Sequence, residues 1–111
     1  IEFVISNNDS MAQGAVSALQ SAGYNKGDGD KFVPVVGVDA TDAAKELINK
    51  GYMTGTVMQD AKAMAKALYQ ISINISEGRE NLYATEYEYE NDSKKAVRIP
   101  YSAYKGDSNV Q

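Results

Sequence analysis

Polar side chains follow three short apolar runs of this sequence, at positions where they could share one binding site. The runs end at Ile5, Val38 and Met58. The polar residues that follow them are Asn7, Asn8, Asp9, Asp39, Gln59 and Asp60. An amide or a carboxylate can engage two adjacent hydroxyl groups, because a hydroxyl both donates and accepts hydrogen bonds. Since hydrogen bonds to a carboxylate are the stronger kind, this set of groups suits a neutral polyhydroxylated ligand such as a sugar.

The elements that must position these groups alternate between strand and helix. Strands are predicted over residues 1–5, 32–38 and 54–58. The apolar faces predicted for the helices are Met11, Ala15, Val16 and Leu19; then Ala43, Ala44, Leu47 and Ile48; then Ala61, Met64, Ala65, Leu68, Ile71 and Ile75. The order β-α-β-α-β-α predicts an α/β fold with a parallel sheet. Ligands bind such sheets outside the carboxyl ends of the strands, where the polar residues should converge.

The chain divides into four parts on this pattern. Residues 1–59 are predicted to form the β-α-β-α-β core, and residues 60–78 a long helix. Residues 79–104 are predicted to form a C-terminal hairpin, with strands over 83–90 and 96–101 and a turn at 91–93. Residues 105–111 are expected to be a mobile tail, and residues 28–30 a flexible turn.

Composition narrows the classes of function. The chain has 111 residues, which suits one domain, and its 11 basic and 15 acidic residues give a net charge of −4. No basic stripe is present, so we expect no nucleic-acid partner. The chain has no cysteine and no histidine, which excludes disulfides, thiolate metal sites and Ser-His-Asp catalysis. Neither Asp9 nor Asp39 has a nucleophile or metal partner nearby in sequence, so we expect a protein that is not an enzyme.

Each candidate residue also has a structural interpretation. Asp9 or Ser10 can cap the helix that follows, and capping alone would explain an aspartate there. Capping does not explain Asp39, because Thr41 supplies the next cap. Asn8 and Gln59 are residue types that are also common in turns, so a ligand role and a turn role both remain open for them.

Four blocks of the sequence resemble the periplasmic sugar-binding proteins of the galactose/glucose-binding type. The blocks are residues 7–15 (NNDSMAQGA), 37–40 (GVDA), 55–61 (GTVMQDA) and 97–101 (VRIPY), and their order and spacing also match, apart from an enlarged loop at residues 25–31. The resemblance implies that Asn8 and Asp39 bind the sugar. Gln59 departs from the pattern, because galactose-type proteins carry Asn there and ribose-type relatives carry Gln. That departure leaves the identity of the sugar open.

The resemblance suggests a second role for Glu2. In galactose-type proteins a Glu just before this strand helps to bind calcium, and Glu2 matches its position. The other oxygen ligands would lie upstream of Ile1, and one carboxylate cannot satisfy the six to eight ligands of calcium. For this chain a solvated Glu at the edge of a strand is the favoured interpretation, and calcium is expected only in the full-length protein. No other cofactor is expected.

The resemblance also implies an architecture and a set of partners. Proteins of this family have two α/β lobes joined by three crossovers, with the sugar captured between the lobes by hinge closure. Residues 1–59 would belong to the C-terminal lobe, and the helix at 60–78 would pack on the N-terminal lobe. The implied partners are an ABC permease and a chemoreceptor, and the implied location is periplasmic or extracytoplasmic, with lipid anchoring left open.

Two further expectations concern the extent of the chain and its class. The sequence opens at Ile1, within a predicted strand and without an initiator Met or a signal peptide, so we expect a C-terminal fragment. Alone, such a fragment should form a homo-oligomer, because exposed apolar faces and unpaired strand edges favour association. The main alternative is the effector-binding core of a sugar-responsive transcription regulator, which shares the fold but requires a DNA-binding segment before Ile1.

Overall fold

The computed structural model of the protein describes residues 1–27 and 31–107. The chain forms two compact units, one made of Ile1–Gln59 with Tyr101–Gln111 and the other of Asp60–Pro100. The turn predicted at residues 28–30 lies outside the described residues, as do residues 108–111 of the predicted tail. Within that tail, Asp107 is described, and its carboxylate accepts a hydrogen bond from Asn49 Nδ2 at 2.9 Å.

The first unit contains the sheet. Over the described residues its strands are β1 (Val4–Ile5), β2 (Val35–Val38), β3 (Gly55–Met58) and β4 (Ser102–Tyr104), in the order β1-β2-β3-β4. The strands β1, β2 and β3 are parallel, with Ile5 opposite Val36 and Val36 opposite Gly55. The strand β4 is antiparallel to β3. This confirms the predicted α/β fold with a parallel sheet.

Helices α1 (Asp9–Ser21) and α2 (Asp42–Asn49) connect the parallel strands and contribute to the core. The core residues are Ala12, Val16, Val35, Ala44, Ile48 and Met53. The predicted inner face of α1 was wrong at Met11, which is 56% exposed. Asp9 is buried at the start of α1, and residues three and seven positions further along the helix follow it onto the same face. Ala12 and Val16 therefore face inward in place of Met11. Ala43, predicted to be buried on α2, is also exposed.

The strands are shorter than predicted. Strand β2 begins at Val35 rather than at Phe32. Before Val35, the backbone of Val33 is hydrogen-bonded to the buried side chain of Asn25 instead of to a neighbouring strand. Asn25 Nδ2 donates to Val33 O at 2.7 Å, and Val33 N donates to Asn25 Oδ1 at 2.8 Å. Pro34 has no N–H to donate. Regular sheet pairing of β2 with its neighbours therefore starts after this proline.

The second unit contains α3 (Ala61–Ser76) and the segment that follows it. The buried residues of α3 are Ala67 and Asn74, whereas Met64, Leu68 and Ile75 of the predicted apolar face are exposed. Asn74 is buried because its amide donates to Asn81 O at 3.0 Å and to Tyr83 O at 2.9 Å. These bonds hold the segment after α3 against the helix.

The predicted hairpin is formed only in part. Between α3 and β4, the described residues show one isolated antiparallel bridge, Tyr89 with Val97, and no strand over 83–90 or 96–101. The predicted turn at 91–93 is stabilised by the hydrogen bond from Ser93 N to Asn91 Oδ1, 3.0 Å long. The strand near the end of the chain is β4, which pairs with β3. Among the described helices, none combines the length and the apolar character needed to cross a membrane.

Candidate functional site

The parallel pairing of β1, β2 and β3 brings the carboxyl ends of these strands to one edge of the sheet. Asn8 follows β1, Asp39 follows β2 and Gln59 follows β3. The backbone N–H of Asp39 donates to Val57 O at 2.8 Å, which extends the sheet pairing one residue beyond β2. The structure therefore places Asn8, Asp39 and Gln59 along the same edge, as the sequence predicted.

Asn8 is the N-cap of α1. Its backbone is extended, with φ of −153°, and its Oδ1 accepts from Met11 N at 2.9 Å. The prediction that Asp9 or Ser10 caps this helix was therefore wrong. Four consecutive residues from Asn7 to Ser10 are all good capping types, so the sequence could not choose among them. Capping uses the amide oxygen of Asn8 and leaves its Nδ2 group available as a donor.

Asp9 is the first residue of α1 and is fully buried, with 0% exposure. Its Oδ2 accepts from Thr41 N at 2.8 Å and from Thr41 Oγ1 at 3.2 Å. Its Oδ1 accepts from Thr56 Oγ1 at 2.5 Å. Asp9 is thus neither a helix cap nor an exposed ligand group, because its oxygens are occupied by donors from the start of α2 and from β3.

The absence of a side chain at Gly37 leaves room for the carboxylate of Asp9. A Cβ atom at position 37 would lie 2.4 Å from Asp9 Oδ1, 3.1 Å from Met53 Cε and 3.2 Å from Ala12 Cβ. A glycine normally weakens a strand, so its presence in the middle of β2 has a packing reason. Gly37 therefore leaves room for the buried carboxylate of Asp9. Two residues later, Asp39 has an exposed carboxylate.

Asp39 occupies a strained backbone position at the end of β2. Its φ is 117° and that of Ala40 is 55°, both in the region that residues with a Cβ rarely adopt. Such conformations cost of order 1–3 kcal/mol each and persist where the surroundings enforce them. The side chain of Asp39 is exposed. Within residues 1–27 and 31–107 no hydrogen bond to its carboxylate is present, so its acceptors face outward unused.

Gln59 and Tyr101 meet at the β3–β4 side of the edge. Gln59 Nε2 donates to the hydroxyl of Tyr101 at 3.4 Å, and both residues are exposed. Tyr101 immediately precedes β4, whose Ser102 pairs with Met58. Sequence reasoning did not include Tyr101 in the site, because its position depends on the antiparallel pairing of β4 with β3. The neighbouring Asp60 caps α3, with Oδ1 accepting from Ala63 N at 2.8 Å.

Glu2 lies before β1 and is exposed. Among the described residues, no group of three or more acidic, histidine or cysteine side chains is arranged to hold a metal ion. Glu2 by itself offers one carboxylate. Its role in calcium binding stays a prediction.

Comparison with known proteins agrees with this fold. The chain belongs to the periplasmic binding protein domain family, whose profile matches residues 1–80. The matched region contains β1, β2, β3 and all of α3, and thus Asn8, Asp39 and Gln59. Members of this family are binding proteins rather than enzymes, and the predicted resemblance is confirmed.

Two curated relatives match most of this chain, which covers only part of each. It is 41% identical over 101 residues to the D-galactose/methyl-galactoside binding periplasmic protein MglB of Haemophilus influenzae, covering 91% of this chain and 28% of that protein. It is 39% identical over 80 residues to a putative rhizopine-binding protein of Rhizobium meliloti, covering 70% of this chain and 25% of that protein. The chain therefore spans about a quarter of the length of these relatives.

Proposed function

We propose that this chain supplies one wall of the sugar-binding cleft of an extracytoplasmic solute-binding protein that serves an ABC transporter. Asn8, Asp39 and Gln59 bind the hydroxyl groups of a monosaccharide. The similarity to a galactose-binding periplasmic protein supports this proposal, as does the common edge at which the three side chains lie.

The single observation that carries the proposal is the state of Asp39. A carboxylate that is exposed, held by a strained backbone and left without donors among the described residues has no evident structural use. Two adjacent hydroxyl groups of a sugar would supply the missing donors, with one hydrogen bond to each oxygen. Strained residues occur preferentially at ligand sites, which agrees with this role.

The other two side chains complement the carboxylate chemically. Asn8 has its oxygen engaged by Met11 N, so it offers a sugar hydroxyl its Nδ2 donor. Gln59 offers an amide oxygen, because its Nε2 is directed to Tyr101. The three groups therefore provide both acceptors and a donor, which matches the mixed character of hydroxyl groups.

The ligand we propose is a galactose- or glucose-like monosaccharide. The name of the Haemophilus influenzae relative specifies D-galactose and methyl-galactoside. Gln59 stands where galactose-type proteins carry Asn, so the longer side chain would narrow the cleft and alter the preference among hexoses and pentoses.

The remaining expectations follow from the proposed assembly. The full protein would consist of two lobes that close about a hinge, and its closed form would bind a permease and a chemoreceptor in the periplasm. The exposed apolar side chains of α3, Met64, Leu68 and Ile75, support a second lobe as the partner of this helix. In the isolated chain the same side chains would favour a homo-oligomer. Glu2 would contribute to a calcium site completed by the rest of the protein.

Titration calorimetry tests the proposal. Galactose, glucose and ribose are titrated into the full two-lobe protein that contains this chain, into its Asp39→Ala variant and into an Asp92→Ala variant as a control. Asp92 is an exposed acid of the second unit. We expect micromolar or tighter binding of at least one sugar. Asp39→Ala should weaken it by about 100-fold or more, since two charge-assisted hydrogen bonds of roughly 1.5–3 kcal/mol each are lost.

The control distinguishes the loss of the hydrogen bonds made by Asp39 from the loss of one negative charge from the protein. Asp92→Ala removes the same charge from the second unit and should leave the affinity unchanged. If the folded wild-type protein binds none of the three sugars, or if Asp39→Ala binds as well as the wild type, the proposed site is wrong.

A further inference from the structure

We infer that Asp9 and Thr56 are positioning residues, which hold the loop of residues 39–41 in the shape that presents Asp39 to the sugar. This inference rests on the proposed function and deepens it. Neither residue touches the ligand, because Asp9 is 0% exposed and Thr56 is 3% exposed. They act through the backbone that connects β2 to α2.

The hydrogen bonds define the arrangement. Thr56 Oγ1 accepts from Ala40 N at 3.3 Å and donates to Asp9 Oδ1 at 2.5 Å. The other oxygen of Asp9 accepts from Thr41 N at 2.8 Å. Asp39 N is bound to Val57 O at 2.8 Å. The consecutive amides of residues 39, 40 and 41 are therefore each fixed to β3 or to the buried carboxylate.

Helix capping does not account for Asp9. The start of α1 is capped by Asn8, and the start of α2 is capped by Thr41, whose Oγ1 accepts from Ala44 N at 3.3 Å. A buried carboxyl group is costly unless donors compensate it. Here the donors come from Thr41, the last residue of the strained loop, and from Thr56, which also accepts a hydrogen bond from Ala40 N of the loop. The hydrogen bonds of Asp9 and Thr56 therefore anchor the loop of residues 39–41.

The strain of the loop explains why such anchoring is needed. Asp39 and Ala40 have φ values of 117° and 55°, and a loop released from its anchors would relax toward negative φ. The carboxylate of Asp39 would then point in many directions. Affinity falls when a binding group must be ordered on binding, because the entropy of ordering opposes the interaction.

The test compares Thr56→Val with Thr56→Ser in the full two-lobe protein. Valine has the shape of threonine but removes both the donor to Asp9 and the acceptor for Ala40 N, whereas serine retains the hydroxyl. We expect Thr56→Val to weaken sugar binding about tenfold or more, and Thr56→Ser to restore most of it. A Val16→Ala variant, in the buried face of α1, controls for a general loss of stability. It should lower the melting temperature without changing the dissociation constant at 25 °C.

A double-mutant cycle shows whether Thr56 acts through Asp39. In the Asp39→Ala background, Thr56→Val should cause little further loss of affinity, because the group it positions is already gone. An effect of Thr56 on affinity that does not pass through Asp39 would give independent, additive losses. Equal dissociation constants for wild type and Thr56→Val would overturn the inference, as would additive losses in the cycle.

Amide hydrogen exchange gives a readout that does not depend on the sugar. In Thr56→Val the amides of Ala40 and Thr41 should exchange at least about tenfold faster, while the amide of Tyr52, bound to Leu47 O at 2.9 Å, should be unchanged. If the protein binds no sugar yet the loop amides lose protection, the proposed function fails and the anchoring of the loop stands. If the sugar binds and neither exchange nor affinity changes, the anchoring fails and the proposed function stands.

Discussion

Asp9 and Asp39 follow neighbouring strands at the same edge of the sheet, and their surroundings differ in nearly every respect. Asp9 is fully buried, and its oxygens accept hydrogen bonds from Thr41 and Thr56. Asp39 is exposed on a strained backbone. We call Asp9, Gly37 and Thr56 the floor of the site, since all are buried. We call Asn8, Asp39 and Gln59 its rim, since they lie partly or fully exposed.

The comparison shows that residue type alone does not assign a role at this edge. The carboxylate of Asp9 accepts hydrogen bonds from Thr41 and Thr56, whereas that of Asp39 accepts none from the described residues, and we propose that it binds the ligand. The two aspartates differ in the number of protein hydrogen-bond donors that lie within reach of each carboxyl group. The floor anchors the loop of residues 39–41, which carries Asp39 of the rim.

The largest effect on the floor is expected from Gly37→Ala. The new Cβ would lie 2.4 Å from Asp9 Oδ1, so either the carboxylate or β2 must move. Overpacking of this kind costs typically about 1–3 kcal/mol, and we expect the free energy of unfolding to fall by that amount in chemical denaturation. Gly14→Ala is the matched control, because a Cβ there meets nothing within 4 Å.

Gly14 lies within α1, where alanine is favoured over glycine by roughly 0.5–1 kcal/mol. The control should therefore stabilise the protein slightly. A Gly37→Ala variant as stable as the wild type would show that the floor is not tightly packed around Asp9.

Asp39→Gly should separate strain from binding on the rim. Glycine adopts a φ of 117° without a steric penalty. We expect the free energy of unfolding to rise by about 1 kcal/mol in denaturant titrations, while sugar binding is lost. The Asp39→Ala variant keeps the strain and should show no such gain. A glycine variant less stable than the alanine variant would contradict the assignment of strain to this position.

Asn8→Ser should distinguish the two roles of Asn8. Serine caps helices about as well as asparagine, so the melting temperature should change little. The Nδ2 donor is lost, and the affinity for the sugar should fall several-fold in calorimetry. Asn8→Ala loses the cap as well, at a cost of about 1 kcal/mol. Unchanged affinity in Asn8→Ser would remove Asn8 from the rim and leave it as a cap alone.

The smallest effect is expected from Gln59→Asn, which shortens a rim side chain by one methylene group. The hydrogen bond to Tyr101 at 3.4 Å would be lost, and the ratio of the affinities for galactose and ribose should shift by roughly three- to tenfold. Competition titrations with both sugars measure that ratio. An unchanged ratio would show that Gln59 does not determine which sugar is preferred.

The sequence predicted the parallel sheet and the position of Asn8, Asp39 and Gln59 at its edge, but it did not predict the contacts of the floor. The apolar runs and polar ends that located Asn8, Asp39 and Gln59 are local signals, and topology alone brings them together. The role of Asp9 depends on Thr41 and Thr56, which are 32 and 47 residues away in sequence. No local pattern carries that information, and the assignment of the cap to Asp9 or Ser10 failed for this reason.

Other differences have similar causes. The inner face of α1 is set by the burial of Asp9, which could not be anticipated from the apolar spacing around Met11. Asn74 is buried on a helix predicted to bury only apolar residues, because its amide binds backbone oxygens of the following segment. Tyr101 lies beside Gln59 because β4 pairs with β3, and no local pattern in the sequence indicates that pairing.

The different roles that we propose for Asp9 and Asp39 are tested most directly by one paired measurement. The melting temperature and the sugar dissociation constant are determined for Asp9→Asn and Asp39→Asn in the same full two-lobe protein. Asp39→Asn should weaken binding by about tenfold or more and leave the melting temperature unchanged, because only an exposed charge is removed. Asp9→Asn should lower the melting temperature by several degrees, because an amide N–H replaces an acceptor in a buried, fully engaged position. If instead Asp39→Asn has a lower melting temperature and still binds the sugar as tightly as the wild type, the roles proposed for Asp9 and Asp39 are wrong.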